Sequence, residues 1–102
     1  VLFEAGQVLA LDPEAGRCQD AEVVDGRGHW LIPGLTDLAV RVREPGQSHK
    51  ADIRSEATAA LLNGITRIVC PPDTAPPVDS TAVVELILRR AREARGAQLH
   101  LV

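Results

Sequence analysis

The sequence contains few of the residues that several classes of function require. Aromatic residues make up 2% of the 102 residues, namely Phe3 and Trp30, so single-stranded nucleic acid would find no row of rings on which to stack. The formal net charge of −3 also disfavours nucleic acid as a partner. No apolar run is long enough to cross a bilayer, and no segment resembles a secretory signal. We therefore expect a protein that binds neither nucleic acid nor membrane.

Cysteine and methionine are also scarce. Cys18 and Cys70 are the two cysteines, and isolated thiols of this kind favour a reducing compartment, so we predict a cytoplasmic protein. Cys70 ends an apolar run and is expected in the core. The sequence has no methionine, and its last residues, 98–102, resemble the start of a strand. These features favour a piece of a longer protein, with a complete small α/β domain as the alternative.

Residues 33–102 alternate between strand patterns and helix patterns. The expected order is a strand within 33–46, a helix from Ser48 to Asn63-Gly64, a strand at 65–70, a helix from Asp79 or Ser80 to about Arg95, and a strand from Gln98. This order is typical of a parallel sheet with right-handed crossovers. Apolar spacing predicts that the helices bury Ile53, Ala57, Ala60 and Leu61, and Val83, Val84, Ile87, Leu88 and Ala91.

Residues 1–32 have a different pattern. Short β-like runs at 7–11, 21–25 and 29–32 are separated by sequences typical of turns. We therefore expect a small β unit at 1–32, joined by Pro33-Gly34 to the α/β unit at 33–102.

The first strand of the α/β unit carries the most informative side chains. Strand side chains alternate between two faces. The polar face is predicted to carry Asp37, Ala39, Arg41 and Arg43, and the apolar face Leu38, Val40 and Val42. Charged groups are seldom buried unless they are paired, so the polar face is expected to point into a site or into water.

This strand is also the centre of a family resemblance. Pro-Gly-Leu-x-Asp, then x-x-Val-x-Val-Arg-Glu-Pro-Gly-Gln, resembles the first barrel strand of dihydroorotases, in the amidohydrolase superfamily. The similarity continues through residues 49–53 and 63–77 and covers most of residues 32–95. It implies an α/β fold, in which 33–102 are the first three strands and two helices of a (β/α)8 TIM-type barrel of roughly 250 residues. Residues 1–32 would be part of a small β-sandwich domain.

The chain departs from this family at the metal site. Dihydroorotases hold a catalytic metal with a His-x-His pair, and those positions are Ala39 and Arg41 here. Alanine has no donor atom, and arginine stays protonated and offers no lone pair. Zinc sites of this type need imidazole or carboxylate ligands. We therefore predict no bound metal or other cofactor and no catalytic residue in this chain.

The family's carboxylate-binding positions are partly retained. Arg43 matches the arginine that binds the substrate carboxylate, and Asp73 replaces the asparagine that assists it. One hypothesis is that Arg41 and Arg43 still bind an anion. The other is that one of them pairs with Asp73 or Asp37 and fills the space of the metal, because an unpaired charge there is costly. Glu44 is expected to shape the loop rather than act as a base.

The resemblance leaves two functions open. The first is a non-catalytic dihydroorotase-like protein of pyrimidine biosynthesis that supports assembly of aspartate carbamoyltransferase and could also form a homo-oligomer. The second is a zinc-dependent dihydroorotase, or a related enzyme that hydrolyses a cyclic amide, with its remaining ligands beyond Val102. The substitutions at Ala39 and Arg41 favour the first.

Overall fold

The computed structural model describes residues 1–102, apart from the side chain of Ala15. The chain divides into two compact units, Val1–Leu31 and Ile32–Val102. The first unit contains a two-stranded antiparallel sheet, and the second unit contains a three-stranded parallel sheet. Within the described residues, neither α-helix is both long and apolar enough to span a membrane.

The first unit contains a β-hairpin. Strands β1 (Leu2–Glu4) and β2 (Gln7–Ala10) pair antiparallel across a two-residue turn. Both turn residues, Ala5 and Gly6, have positive φ angles of 49° and 80°, as a tight hairpin requires. A short 3-10 helix follows at Ala15–Cys18. No described side chain of this unit is fully buried, which is consistent with the marginal stability of a lone hairpin.

Two of the strands that we predicted in this unit are not formed. Residues 21–25 and 29–32 are outside regular secondary structure. Their apolar side chains are exposed, with Val23 at 84%, Val24 at 81% and Trp30 at 92% exposure. The residue types favour a strand, but a strand also needs a neighbour with which to form a ladder. Sequence pattern alone does not supply that neighbour, so these predictions were wrong.

The second unit is a parallel three-stranded sheet with two helices. Its elements are β3 (Leu35–Asp37), α1 (Ile53–Leu62), β4 (Ile65–Cys70), α2 (Thr81–Ala94) and β5 (Gln98–Leu101). The strand order is β3-β4-β5, and both pairs are parallel. The α/β class, the strand at 65–70 and the two helices are therefore confirmed.

The helices cover one face of this sheet. Ile68 of β4 and Ile87 of α2 are both 0% exposed, and Ile53 of α1 is 1% exposed. On β4 and β5 the registered pair Ile68 and Leu99 is buried, whereas Arg67 and its partner Gln98 are exposed. This alternation follows from the two-residue period of a strand. The helices therefore pack on the apolar face and leave the other face open.

Helix α1 begins later than we predicted. Its N-cap is Asp52, whose Oδ1 accepts a hydrogen bond from the Ser55 backbone N–H at 2.6 Å, and Ser55 Oγ accepts one from the Asp52 N–H at 3.0 Å. The prediction of Ser48 was wrong because this reciprocal capping box satisfies two exposed donors at once. Hydrogen bonds from Ser55 lower the pKa of Asp52. The cap therefore contributes its full stabilisation to the helix at pH values above the ordinary pKa of an aspartate. This contribution is lost as the pH falls through the lowered pKa of Asp52.

The buried helical positions were predicted well, with one error. Ile53, Ala57 and Ala60 are buried in α1, but Leu61 is 45% exposed. In α2, Val83 and Ile87 are buried and the other predicted positions are half-buried. Helix α1 ends at Leu62, and its C-cap Asn63 precedes Gly64, as expected. Helix α2 ends at Ala94, close to the predicted end at about Arg95, and its C-cap Arg95 has a left-handed φ of 53°.

The first strand is much shorter than predicted. Strand β3 ends at Asp37, and residues 38–44 follow an irregular path. Arg43 has a φ of 61°, outside the extended region that strand alternation requires. Leu38, which we assigned to the apolar face, is 75% exposed, whereas Val42 is 2% exposed. The predicted shared face from Asp37 to Arg43 therefore does not exist as a strand face.

Candidate functional site

The candidate site lies where β3 and β4 end. Residues 38–52 connect β3 to α1, and residues 71–80 connect β4 to α2. The two strands are parallel neighbours, so both connections leave the same edge of the sheet. This edge is where parallel α/β proteins usually place their functional groups.

One ion pair joins these two connections. Arg41 Nε lies 2.9 Å from Asp73 Oδ2, and the two side chains are 62% and 39% exposed. The structure thus contains one of the pairs that we considered from the sequence, and Asp37 is not the partner of Arg41. Because both charges remain accessible to water, the pair is expected to contribute less than about 1 kcal/mol to stability.

Arg43 occupies a turn next to this pair. Its side chain is half-buried, and the described side chains form no ion pair with it. Its backbone carbonyl accepts a hydrogen bond from the Gln47 N–H at 2.7 Å. The left-handed backbone is uncommon for arginine and is often found where surrounding contacts hold a functional loop.

The two connections also touch through their backbones. The Ala75 N–H donates a hydrogen bond to the Pro45 carbonyl at 3.1 Å. Gly46 has a φ of 109° and leaves no room for a Cβ, which would collide with the carbonyl oxygen of Ala75. Glycine is therefore required here both by conformation and by space. This contact holds the connection at residues 38–52, which carries Arg41 and Arg43 and is called the arginine loop below, against the loop that carries Asp73.

The remaining groups at this edge do not form a nucleophile or a metal centre. Burial raises the pKa of the Cys70 thiol to about 11, and the nearby carboxylates of Asp73 and Asp37 contribute to that increase. The thiol therefore stays protonated at neutral pH and is unreactive. Asp37 accepts a hydrogen bond from the Ala39 N–H at 3.0 Å. The described residues contain no group of three histidine, cysteine, aspartate or glutamate side chains that could hold a metal ion.

Sequence reasoning missed the full role of Glu44. Its Oε2 accepts a hydrogen bond from the Ile53 N–H at 3.1 Å, at the first residue of α1. Its Oε1 lies 3.6 Å from Nε of Arg90 in α2, and the Glu44 side chain is only 18% exposed. A carboxylate at a helix N-terminus is favourable because it accepts a hydrogen bond from a free backbone N–H and its negative charge is attracted to the positive end of the helix dipole. Glu44 therefore connects the arginine loop to both helices, a tertiary role that its position beside Pro45 did not indicate.

Glu44 provides a stability prediction. The change Glu44→Ala should lower the free energy of unfolding by roughly 1–2 kcal/mol, because it leaves the Ile53 N–H without its charged acceptor. Chemical denaturation of the full chain measures this loss. The matched control is Glu93→Ala, which removes an exposed carboxylate from α2 and should change stability by less than about 0.5 kcal/mol. Equal losses in both variants would contradict the assigned role.

The model of the family described as dihydro-orotase-like matches residues 28–101. The chain belongs to the dihydro-orotase-like family. The residues that match the family model include β3, β4, both helices and both connections at the candidate site.

Three relatives illustrate the range of names in the family. A dihydroorotase-like protein of Pseudomonas aeruginosa is 43% identical over 98 residues, which cover 96% of this chain and 23% of the relative. A dihydroorotase-like protein of Pseudomonas putida is 41% identical over the same shares of the two chains. A dihydroorotase of Aquifex aeolicus is 39% identical over 92 residues, covering 90% of this chain and 22% of the relative. This dihydro-orotase-like chain therefore spans less than a quarter of the length of these relatives.

Proposed function

We propose that this member of the dihydro-orotase-like family is a non-catalytic protein of pyrimidine biosynthesis that supports assembly of aspartate carbamoyltransferase. The observation that carries the proposal is the Arg41–Asp73 ion pair. Arg41 and Ala39 occupy the positions of the metal-binding histidine pair in dihydroorotases. A guanidinium held by a carboxylate stands at one position, and a methyl group at the other.

The donor set at these positions does not fit a zinc ion. A zinc ion requires a lone pair on each ligand, which neither Ala39 nor Arg41 can supply. The positive charge of Arg41 would also repel a divalent cation. Asp73 is occupied by its contact with Arg41. We therefore assign no catalytic step to a metal held by these residues.

The fold and the partners of the proposed protein are those that the family resemblance implies. Residues 33–102 would form the first three strands and two helices of a (β/α)8 TIM-type barrel, and residues 1–32 part of a small β-sandwich. The alternation of three parallel strands with two helices supports the barrel. We propose a cytoplasmic protein that binds aspartate carbamoyltransferase, with self-association into a homo-oligomer as a further arrangement. In this proposal Arg43 and Asp73 are the former carboxylate-binding positions.

A second function is favoured by two observations. Relatives with 39% identity are named dihydroorotase, and Arg43 is present as in the active family. The alternative is therefore a metal-dependent enzyme that hydrolyses the C–N bond of a cyclic amide, with zinc bound by ligands outside this chain.

Metal analysis and turnover distinguish the two functions. The full-length protein, purified without chelators, should contain less than about 0.1 zinc per chain and should not open the dihydroorotate ring. The variants Ala39→His and Arg41→His, made together, test whether the missing ligands are the cause. An increase in bound zinc supports that cause. Stoichiometric zinc and turnover in the wild type would overturn the proposal in favour of the hydrolase.

Co-purification tests the assembly role separately. Tagged full-length protein expressed with aspartate carbamoyltransferase from the same organism should elute with it as one complex on size exclusion. The carbamoyltransferase should form a smaller assembly when it is expressed alone. Separate elution of the two proteins, with an unchanged carbamoyltransferase assembly, would contradict the proposed role even if no zinc were found.

A further inference from the structure

Helix α1 has an outer face that is largely uncharged. It is the side opposite the residues that pack on the sheet, and it forms a shallow groove that is lined by Asp52, Arg54, Ser55, Thr58, Ala59 and Leu62. The two charged residues lie at the start of the groove. From Ser55 to Leu62 the lining follows the i, i+3, i+4, i+7 spacing of one helical face, and Leu62 is 81% exposed. A face turned to water is ordinarily rich in charged residues, so this groove has the composition of a contact surface.

Helix α2 has a second shallow groove on its outer face, and this groove is basic toward the end of the helix. It lies opposite the buried residues Val83 and Ile87 and is lined by Ala82, Glu85, Leu86, Arg89 and Arg92. Both arginines are exposed, and neither forms an ion pair with a described side chain. Attraction to the helix dipole accounts for Arg92 in the last turn. It does not account for Arg89, because the effect falls off within one turn.

The two helices end at the same edge of the sheet. Helix α1 ends at Leu62, shortly before β4 begins at Ile65, and α2 ends at Ala94, shortly before β5 begins at Gln98. Strands β4 and β5 are parallel neighbours, so both begin at this edge, and the two helices pack against each other. The ends of the two grooves therefore lie side by side. We call the part formed by Leu62, Leu86, Arg89 and Arg92 the helix-end surface.

The charge of the helix-end surface indicates what kind of partner it fits. Residues 89–95 contain four arginines and one glutamate, and Arg90 is paired with Glu44. Three arginines and one glutamate remain, an excess of two positive charges in a chain whose formal net charge is −3. An acidic segment is therefore attracted to this end of α2 and repelled by the chain as a whole. Such a contrast fixes where and in which orientation a partner docks.

We propose that the helix-end surface is a docking site for an acidic amphipathic helix of another protein. Apolar residues of that helix contact Leu62 and Leu86, and its carboxylates pair with Arg89 and Arg92. The ridges of side chains on two packed helices leave grooves into which a third helix fits. The proposal goes beyond the assembly role and does not depend on it, because it uses the outer side of the helices and no residue of the candidate site.

A peptide titration tests the proposal in the full chain. The probe is a synthetic helical peptide of about 18 residues, or five turns, with leucines along one face, glutamates on both sides of them and alanines elsewhere. Fluorescence anisotropy of the labelled peptide should give a Kd below about 100 μM at low ionic strength, and added salt should weaken binding. Arg89→Gln and Arg92→Gln, made together, should weaken binding at least about tenfold and reduce its salt dependence.

Leu62→Ala tests the apolar part of the helix-end surface. It should weaken peptide binding by about threefold to tenfold and leave the midpoint of urea denaturation unchanged, because Leu62 is exposed. A peptide with lysine in place of glutamate should not bind. Arg17→Gln and Arg27→Gln, made together, remove two exposed arginines from the first unit and should leave peptide affinity within about twofold of the wild type.

Three results would overturn the proposal. They are the absence of peptide binding by the wild type at about 1 mM, equal binding of the lysine peptide, and an equal loss of affinity in the control variant with substitutions at Arg17 and Arg27. The titration contains no carbamoyltransferase and does not measure zinc. Failure of this inference is therefore distinguishable from failure of the proposed function.

Discussion

Replacing Ile68 with alanine should lower the free energy of unfolding by about 3–4 kcal/mol. Ile68 is 0% exposed at the centre of β4, the middle strand of the parallel sheet. It belongs to the same buried cluster as Ile53 of α1 and Ile87 of α2. The truncation removes apolar contacts and leaves a cavity that the two helices cannot fill without moving. Urea denaturation of the full chain, followed by circular dichroism, measures the loss.

Leu62→Ala is the matched control for this prediction. Leu62 is also a large aliphatic residue of the second unit, but it is 81% exposed at the end of α1. Its truncation should change the free energy of unfolding by less than about 0.5 kcal/mol. A loss at Ile68 no greater than that at Leu62 would show that β4 is not the centre of the core.

Replacing Gly96 with alanine should lower the free energy of unfolding by about 2–3 kcal/mol. A Cβ at this position would lie 2.5 Å from the carbonyl carbon and 2.6 Å from the carbonyl oxygen of Ala57 in α1. The next residue, Ala97, donates its N–H to the same Ala57 oxygen at 2.9 Å. Because the obstacle is helix backbone, the added methyl group forces α1 away from the segment that enters β5. Thermal unfolding should show the loss as a lower midpoint.

A second glycine separates this steric effect from the general effect of replacing glycine. A Cβ added at Gly26 would have no atom within 4 Å, and Gly26 does not have a positive φ angle. Gly26→Ala should therefore be neutral or slightly stabilising, because alanine restricts the unfolded chain. If Gly96→Ala is as well tolerated as Gly26→Ala, the close approach between α1 and the β5 entry does not limit stability.

The regular elements of the second unit were predictable because local pattern and tertiary packing agree there. The run from Ile65 to Cys70 is apolar and bounded by glycine and proline, and it forms β4. The spacing of Val83 and Ile87 places both on one helical face, and both are buried. Where two local signals competed, sequence was insufficient. Ser48 and Asp52 are both acceptable N-caps, and the reciprocal contact with Ser55 selected Asp52.

The candidate site was predictable in composition but not in geometry. The strand pattern indicated that Arg43 and Asp73 follow the carboxyl ends of successive strands, with Arg41 on the same strand as Arg43. It could not indicate which arginine pairs with Asp73, because a strand continued through Arg43 would have placed both arginines on one face. The turn at Arg43, with its φ of 61°, is followed by Glu44 and Gly46, which contact Arg90 and Ala75 far along the chain.

The amino-acid sequence by itself determined the α/β class of the second unit, its buried helical faces, its family, and the absence of metal-binding side chains at Ala39 and Arg41. These properties depend on residue identity and on short-range periodicity, which are local. Only the tertiary structure decided where β3 ends, that Glu44 joins the arginine loop to both helices, and that Asp73 takes Arg41 as its partner. Those outcomes depend on distances between residues remote in sequence, and such distances exist only after the sheet and helices have packed.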